Sequence, residues 1–383
     1  MRIGIIAPPW ISVPPPAYGG IESFIDTLAQ ALHREGHEVV LAASGDSTCP
    51  VERLTGFPPS DPSQMGMTTH ELRHLIRAYA RLDDVDVIID NTLAGPILAR
   101  TAATRPVVTI AHGPFIPLVQ ELYGAASPEM VYVAISHHQA STAGPVPIRR
   151  VIHHGICVTD VPVGAGGPEA CFVGRMDPSK GVREAITIAE HAGIPLRIAA
   201  KMQEPDELQY FEEVVRPALG PNAEYLGELS TEEKTELMGS SCALLNPIQW
   251  DEPFGLVMIE SLATGTPVVA TSRGSVPEIV DDGVTGFIRD DLEGLVAALG
   301  EAHSLDRAAC RAKVESHFTE ARMAQDYLDL FTELIEQRAA AELARGGGGG
   351  NVVPLSPPEP PITPTVSAGG AGTGDVDDAP ITA

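Results

Sequence analysis

The stretch Arg2-Ile3-Gly4-Ile5-Ile6-Ala7, then the loop from Pro8 to Tyr18, the pair Gly19-Gly20, and a stripe of Ile21, Phe24, Ile25, Leu28, Ala29 and Leu32 set the architecture of the chain. A short aliphatic run without polar alternation reads as a strand buried on both faces. The stripe repeats at i, i+3, i+4 and i+7, which is one buried face of a helix. Gly36 ends that helix, and residues 38–43 read as the next strand. Further strands are predicted at 85–89, 107–111, 131–135 and 151–154. Strand alternating with helix predicts an α/β domain with a parallel sheet of right-handed βαβ units.

Working outward, residues 160–168 turn to Val, Gly, Ala and Pro without periodicity and read as a linker. The alternation then restarts, with strands at 170–173, 196–200, 224–226, 243–246 and 267–270. Helices are predicted between them at 182–191, 207–216, 231–240 and from Phe254 onward. Ser230 with Glu233 three residues on has the capping-box pattern. Two doubly wound units in series imply a cleft, with ligands at the C-terminal ends of the strands. A helix at 320–343 carries the apolar stripe Met323, Tyr327, Leu330, Phe331, Leu334 and Ile335, which must cover something. Residues 346–383, rich in Gly, Pro, Thr and Ser, are expected to be a disordered tail.

The bulk numbers agree with two domains. The chain has 383 residues, 44% of them hydrophobic but only 5% aromatic, so Ala, Val, Ile and Leu must do the packing. A net charge of −26 repels nucleic acid phosphates and anionic lipid headgroups, which excludes nucleic acid as the expected partner. The five cysteines are scattered with no C-x-x-C spacing, which argues against a zinc site or a disulfide framework built on them and fits a reducing cytoplasm. No signal-peptide core opens the chain, and no run approaches the roughly 20 apolar residues of a membrane span.

Against this acidic background two cations stand out, in Phe172-Val173-Gly174-Arg175-Met176-Asp177-Pro178-Ser179-Lys180-Gly181. Arg175 and Lys180 sit at a strand-to-helix turn, where free N–H groups and the helix dipole add to their charge. Arg grips a phosphate through two N–H groups, and Lys supplies a movable point charge. A second constellation is Trp250-Asp251-Glu252-Pro253-Phe254-Gly255-Leu256-Val257-Met258-Ile259-Glu260. Pro253 suits a first helical turn, and Gly255 leaves the N–H groups of Gly255, Leu256 and Val257 open to a ligand. Glu252 stands just ahead of the helix and Glu260 projects from it eight residues on, which at the helical rise separates them by roughly 12 Å along the axis. That is too far for an acid/base dyad on one bond. It suits two contacts on one extended ligand, a ribose at Glu260 and a sugar ring at Glu252.

With these residues the chain resembles the retaining, metal-independent glycosyltransferases of family 4, which have the GT-B fold and use nucleotide-sugar donors. The resemblance covers residues 2–335 and is carried by Gly19-Gly20-Ile21-Glu22, Ala111-His112-Gly113, Ile135-Ser136 and His154-Gly155-Ile156. It continues through Gly174-Arg175, Lys180-Gly181, residues 252–260, Gly265-Thr266-Pro267-Val268-Val269, Gly274-Ser275-Val276-Pro277-Glu278-Ile279 and Gly283-Val284-Thr285-Gly286-Phe287. It implies two Rossmann-like domains facing each other across a cleft. An acceptor domain of 1–160 would be completed by a C-terminal helix at about 317–345 crossing back to it, and 168–316 would hold the donor. It also implies no cofactor and no metal. Arg175 and Lys180 would hold the donor diphosphate, Glu260 the ribose, Glu252 the transferred sugar, and Gly20 would approach the diphosphate from the other domain. His112 would lie near the reaction centre.

The remaining candidates stay open at this stage. Gly19-Gly20 permits close approach of a phosphate or forms only a turn. His112 ends an aliphatic strand, where functional groups collect, or is a satisfied core histidine. Asn91 could contact an acceptor or belong to a turn; Trp10 and Tyr18 could stack on a sugar or simply anchor the Pro-rich loop. Base recognition is expected near Lys201 and Leu229. The resulting expectation is transfer of a hexosyl group from a UDP- or GDP-sugar to an acceptor hydroxyl. A soluble acceptor is favoured because the first domain lacks a basic cluster. The competing readings are a nucleotide-sugar epimerase, another GT-B enzyme, or a non-catalytic nucleotide-sugar-binding protein. A dehydrogenase is disfavoured because no G-x-G-x-x-G follows a strand.

Overall fold

The computed structural model describes residues 1–126 and 130–346. Its first seven strands are β1 (Arg2–Ile6), β2 (Glu38–Ala42), β3 (Glu52–Arg53), β4 (Val87–Asp90), β5 (Val107–Ala111), β6 (Val131–Ala134) and β7 (Ile148–Val151). They form one parallel sheet in the order β3-β2-β1-β4-β5-β6-β7. The next six are β8 (Ala170–Arg175), β9 (Leu196–Lys201), β10 (Ala223–Gly227), β11 (Leu244–Asn246), β12 (Val268–Ala270) and β13 (Gly286–Ile288). They form a second parallel sheet, β10-β9-β8-β11-β12-β13. The expected pair of Rossmann-like units is therefore present.

The strand order reverses beside β1 in the first sheet and beside β8 in the second. Such switch points open a crevice at the strand C-termini. The loops emerging there are those after β1 and β4 on one side and after β8 and β11 on the other. These are the segments bearing Gly19-Gly20, Asn91, Lys180 and Glu252.

Several expectations are corrected. The strand placed at 151–154 is β7 at Ile148–Val151, so His153 and His154 lie beyond it. This is the sheet's outer strand, half-exposed along Ile148-Arg149-Arg150-Val151, so burial leaves no aliphatic run to read. The single helix at 207–216 is Pro205–Tyr210, a π-helical turn at Phe211–Val215, and a 3-10 turn at Arg216–Ala218, where Pro217 supplies no N–H. The helix placed from Phe254 begins at Leu256. Helices at Thr68–Tyr79, Gly95–Ala102, Pro117–Ala126, Leu292–Glu301 and Arg307–His317 were not anticipated.

The linker is docked rather than loose. Arg307 Nε donates to Gly164 O at 2.8 Å, and Arg311 Nη1 to Val161 O at 2.6 Å. The last helix, Glu320–Gly346, crosses back onto the first unit. Arg34 pairs with Glu320 at 2.7 Å, and the Tyr327 ring lies 6.5 Å from Phe24. The stripe Met323, Tyr327, Leu330 and Phe331 is fully buried against the Gly20–Arg34 helix, which answers what it covers. The tail expected after this helix lies outside the described residues. Among the described residues no helix is long and apolar enough to cross a membrane.

Candidate active site

β8 ends in Gly174-Arg175, and the chain turns at once. Asp177 accepts the Ser179 N–H at 2.8 Å and caps a 3-10 turn, Pro178–Lys180, that projects Lys180. Gly181 follows at φ 76°, where an added Cβ would stand 2.0 Å from Pro247 O, so this turn accepts only glycine. Lys180 Nζ donates to Glu252 Oε2 at 2.6 Å, and Trp250 Nε1–H donates to the same oxygen at 3.1 Å. The ammonium also lies 4.8 Å from the centre of the Trp250 ring, within cation–π range.

Arg175 is held differently. Its Nε approaches Glu207 Oε1 at 3.7 Å without a hydrogen bond, and both atoms are buried. Lys201 Nζ reaches Glu204 at 3.0 Å and Glu207 at 4.0 Å. Arg175 and Lys201 thus converge on Glu207 at the ends of β8 and β9, and Lys180 stands on the turn that follows β8. The half-engaged Arg175 is the one best placed to take an incoming anion, because its N–H donors are incompletely satisfied.

Glu252 lies ahead of the helix, as expected. Gly255 is left-handed at φ 80° and delays the helix to Leu256–Ala263, so the axial separation expected of Glu252 and Glu260 does not apply. The two acids are nevertheless separately engaged, Glu252 by Lys180 and Glu260 Oε1 by Lys234 Nζ at 2.9 Å. Among the described residues no backbone carbonyl accepts from the N–H groups of Gly255, Leu256 or Val257, which remain open at the head of the helix. The side chain of Phe254, expected among the donor contacts, is buried, 4.9 Å from the His154 ring and 6.1 Å from Phe318.

Lys201 and Leu229, the pair expected near a base, do share one pocket. Gly174, Glu228, Thr231 and Lys234 complete its wall, and Tyr18 closes it. Tyr18, expected to stack on a sugar or acceptor or to anchor the Pro-rich loop, is thus part of this pocket's lining. Its N–H donates to Glu228 Oε1 at 3.0 Å across the cleft, and its ring is exposed at the pocket mouth. Trp10 stays half-buried in the Pro-rich loop. Gly19 is extended at φ 178° and precedes the helix that Gly20 opens. A Cβ on Gly20 would lie 3.9 Å from Leu256 Cδ1, so the glycine loop faces the head of the Leu256–Ala263 helix.

On the other wall, His112 follows β5 with Nε2 at 2.9 Å from Asn91 Oδ1. Asn91 Nδ2 donates to Ile6 O at 2.9 Å, which leaves its Oδ1 as the acceptor. His112 must then carry its proton on Nε2 and present Nδ1 as a lone pair. Burial pushes its pKa down to about 3, so the ring stays neutral at any working pH. Asn91, expected as an acceptor contact or part of a turn, is itself buried and holds the His112 ring. Asn91→Ala is expected to lower kcat about tenfold with the donor KM little changed, because the ring loses its tautomer lock. Steady-state kinetics at fixed acceptor checks this.

Four residues received no role from the sequence. Lys234 reveals itself only through Glu260, and Trp250 only through its bond to Glu252. Glu278 binds across the cleft to the N–H groups of His137 and His138, each at 2.8 Å. Glu22 is buried in the first turn after the glycine pair, and burial pushes its carboxyl up to about 7. Its place in Gly19-Gly20-Ile21-Glu22 was the one available signal.

Comparison with known proteins agrees with this geometry. Residues 18–156 match the family model described as Glycosyltransferase Family 4, and residues 162–305 match that of Glycosyl transferases group 1. The chain is 25% identical over 351 residues to a phosphatidyl-myo-inositol mannosyltransferase of Propionibacterium freudenreichii, covering 82% of this chain and 87% of that one. Its fold is shared with a sucrose-phosphate synthase from Thermosynechococcus elongatus, at TM-score 0.72 and 19% identity over 88% of this chain and 99% of that one. An Anabaena protein, HepE, solved with UDP and glucose, superposes at TM-score 0.68 and 19% identity, covering 87% and 100%. One family match falls on each of the two sheets that form the cleft, and the chain belongs to glycosyltransferase family 4, as an enzyme of the GT-B type.

Proposed function

We propose that this glycosyltransferase moves a hexosyl group from a UDP- or GDP-sugar to the hydroxyl of a soluble acceptor, with retention of configuration and no metal. The observation that carries the reading is the cation pair Arg175 and Lys180 at the β8 turn, with Glu252 on Lys180 and Glu260 on a second lysine. Two cations beside two separately held carboxylates are a set of contacts suited to a diphosphate flanked by two sugars. The UDP and glucose held by the Anabaena neighbour support the donor class.

In this reading the diphosphate lies between Arg175, Lys180 and the open N–H groups of Gly255, Leu256 and Val257, with Gly20 closing over it. Glu260 binds the ribose, and the Lys201–Leu229 pocket takes the base. Glu252, steadied by Trp250 and Lys180, binds the transferred sugar. As the bond from the anomeric carbon to the phosphate oxygen breaks, charge grows on the diphosphate, and the preorganised cations stabilise it where it develops. The acceptor oxygen bonds to the anomeric carbon on the same face, and its proton passes to the departing phosphate oxygen. Glu252 is committed to Lys180 and Trp250, which leaves it poorly placed as a covalent nucleophile.

A nucleotide panel tests the donor. A diphosphate present at about 100 times its Kd stabilises the fold by about 2.7 kcal/mol, read as a rise in Tm. Incubation with nucleotide sugars and an acceptor series of free sugars, sugar phosphates and lipid-linked inositols tests the reaction. Glycosylated soluble product of retained anomeric configuration is expected. Epimerised donor, or transfer only to the lipid-linked acceptors, overturns the reading in its respective part.

A further inference from the structure

Away from the Lys180 turn, at the seam between the two units, three side chains converge with no part in the proposed transfer. Ser136 caps the short helix His137–Ser141, which brings His137 out at its first position. His153 follows β7, and Glu278 comes from the opposite unit, in the short helix Val276–Ile279 after β12. One ligand atom from each, two imidazole nitrogens and a carboxylate oxygen, all lie within 4.8 Å of one another. The His153 and Glu278 side chains already touch, with Nε2 at 2.7 Å from Oε2. The His137 ring is exposed, makes no hydrogen bond among the described residues, and packs edge-on to His153 at 5.6 Å.

We infer that His137, His153 and Glu278 form a binding site for a divalent transition ion of the zinc class, one that staples the two units together. Two imidazoles and one carboxylate are a donor set that such ions prefer, and water completes the tetrahedron from the exposed side of His137. Metal–ligand distances near 2.1 Å put tetrahedral ligand atoms roughly 3.4 Å apart, so the wider separations must close, and the touching His153–Glu278 pair must part, by about an ångström, within reach of side-chain rotation. The carboxylate is oriented in advance by the His137 and His138 N–H groups, the kind of outer support that ligating carboxylates use. The cysteine spacing gave no hint of this site because it uses no cysteine.

The placement gives the ion a consequence. Glu278 sits just after Ser275, whose N–H donates to Glu252 O at 3.0 Å, and the His153 ring lies 5.9 Å from Phe254. An ion here holds the acceptor unit against the segment that positions Glu252. Zinc should therefore slow transfer without occupying the donor site.

The test is calorimetric titration of zinc into untagged, chelator-treated full chain, repeated with H137A, H153A and C157S. A single zinc ion per chain is expected, weakened about tenfold or more by either histidine change and unaffected by C157S, the exposed thiol. H137A removes an exposed ring and leaves the Glu278 hydrogen bonds in place, so its loss of binding reports ligation rather than misfolding. Cobalt(II) should give tetrahedral visible bands without a thiolate charge-transfer band. Absence of uptake at about 1 mM zinc, far above the range of a dedicated site, overturns the inference. So does uptake undiminished in both histidine variants, or a thiolate band with cobalt.

Discussion

Lys180→Ala is expected to lower kcat/KM for glycosyl transfer about a thousandfold while the protein stays folded. Among the described residues the ammonium is the one cation that bonds Glu252, at 2.6 Å, and it does so from the turn that follows β8. Its removal takes away charge where the diphosphate departs and frees the carboxylate proposed to hold the sugar. Trp250 still donates to Glu252, so the loop keeps one of its anchors and the fold is not at stake. Release of nucleoside diphosphate in the presence of acceptor measures the loss, and circular dichroism with a melting curve checks the fold. Near-normal transfer by this variant would sink the proposed role of Lys180.

Gly274→Ala should have the second largest effect, through stability and activity together. Gly274 is left-handed at φ 60°, and an added Cβ would lie 2.2 Å from Glu252 O and 2.4 Å from Glu252 N. Neither atom can yield alone, because Glu252 O accepts the Ser275 N–H at 3.0 Å. The backbone conformation alone costs about 1–3 kcal/mol. Displacing Glu252 by about an ångström is expected to cost a further hundredfold in kcat. The Tm and kcat should fall together, and a lowered Tm with unchanged kcat would show that Glu252 does not set the sugar's position.

Much of this was legible in the sequence because it rests on local physics. Central parallel strands are buried on both faces, so β1, β5 and β8 announce themselves as aliphatic runs, and β5 was placed at its observed residues 107–111. The Ser230 capping box forms as read, with Ser230 N–H on Glu233 Oε2 at 2.9 Å and Glu233 N–H on Ser230 Oγ at 3.2 Å. Edge strand β7 and the Thr68–Tyr79 helix lacked such signals. The first is half-exposed along its length, and the second starts after Met67, which offers no capping side chain. Pro253 suggested a helix start, but the left-handed Gly255 postpones it by two residues, from Phe254 to Leu256.

The site was legible in its charges and illegible in its pairings. Arg175, Lys180, Glu252 and Glu260 stood out as types in an acidic chain. Their partners lie far away in sequence and depend on the fold, as with Lys234 on Glu260 and Tyr18 beside Glu228, 210 residues on. Asn91 shows the same limit, since a polar residue at a strand end reads alike whether it meets a ligand or orients His112.

The central claim is that Arg175 and Lys180 form a diphosphate site. Calorimetric titration of UDP and GDP against UMP and GMP, in the native protein and in the R175A/K180A variant, tests it most directly. The better-bound diphosphate is expected to exceed its monophosphate by about tenfold or more, as charge-assisted contacts to the second phosphate warrant, with the advantage lost in the variant. Equal affinity for the two nucleotides, or an advantage that survives removal of both cations, would contradict it.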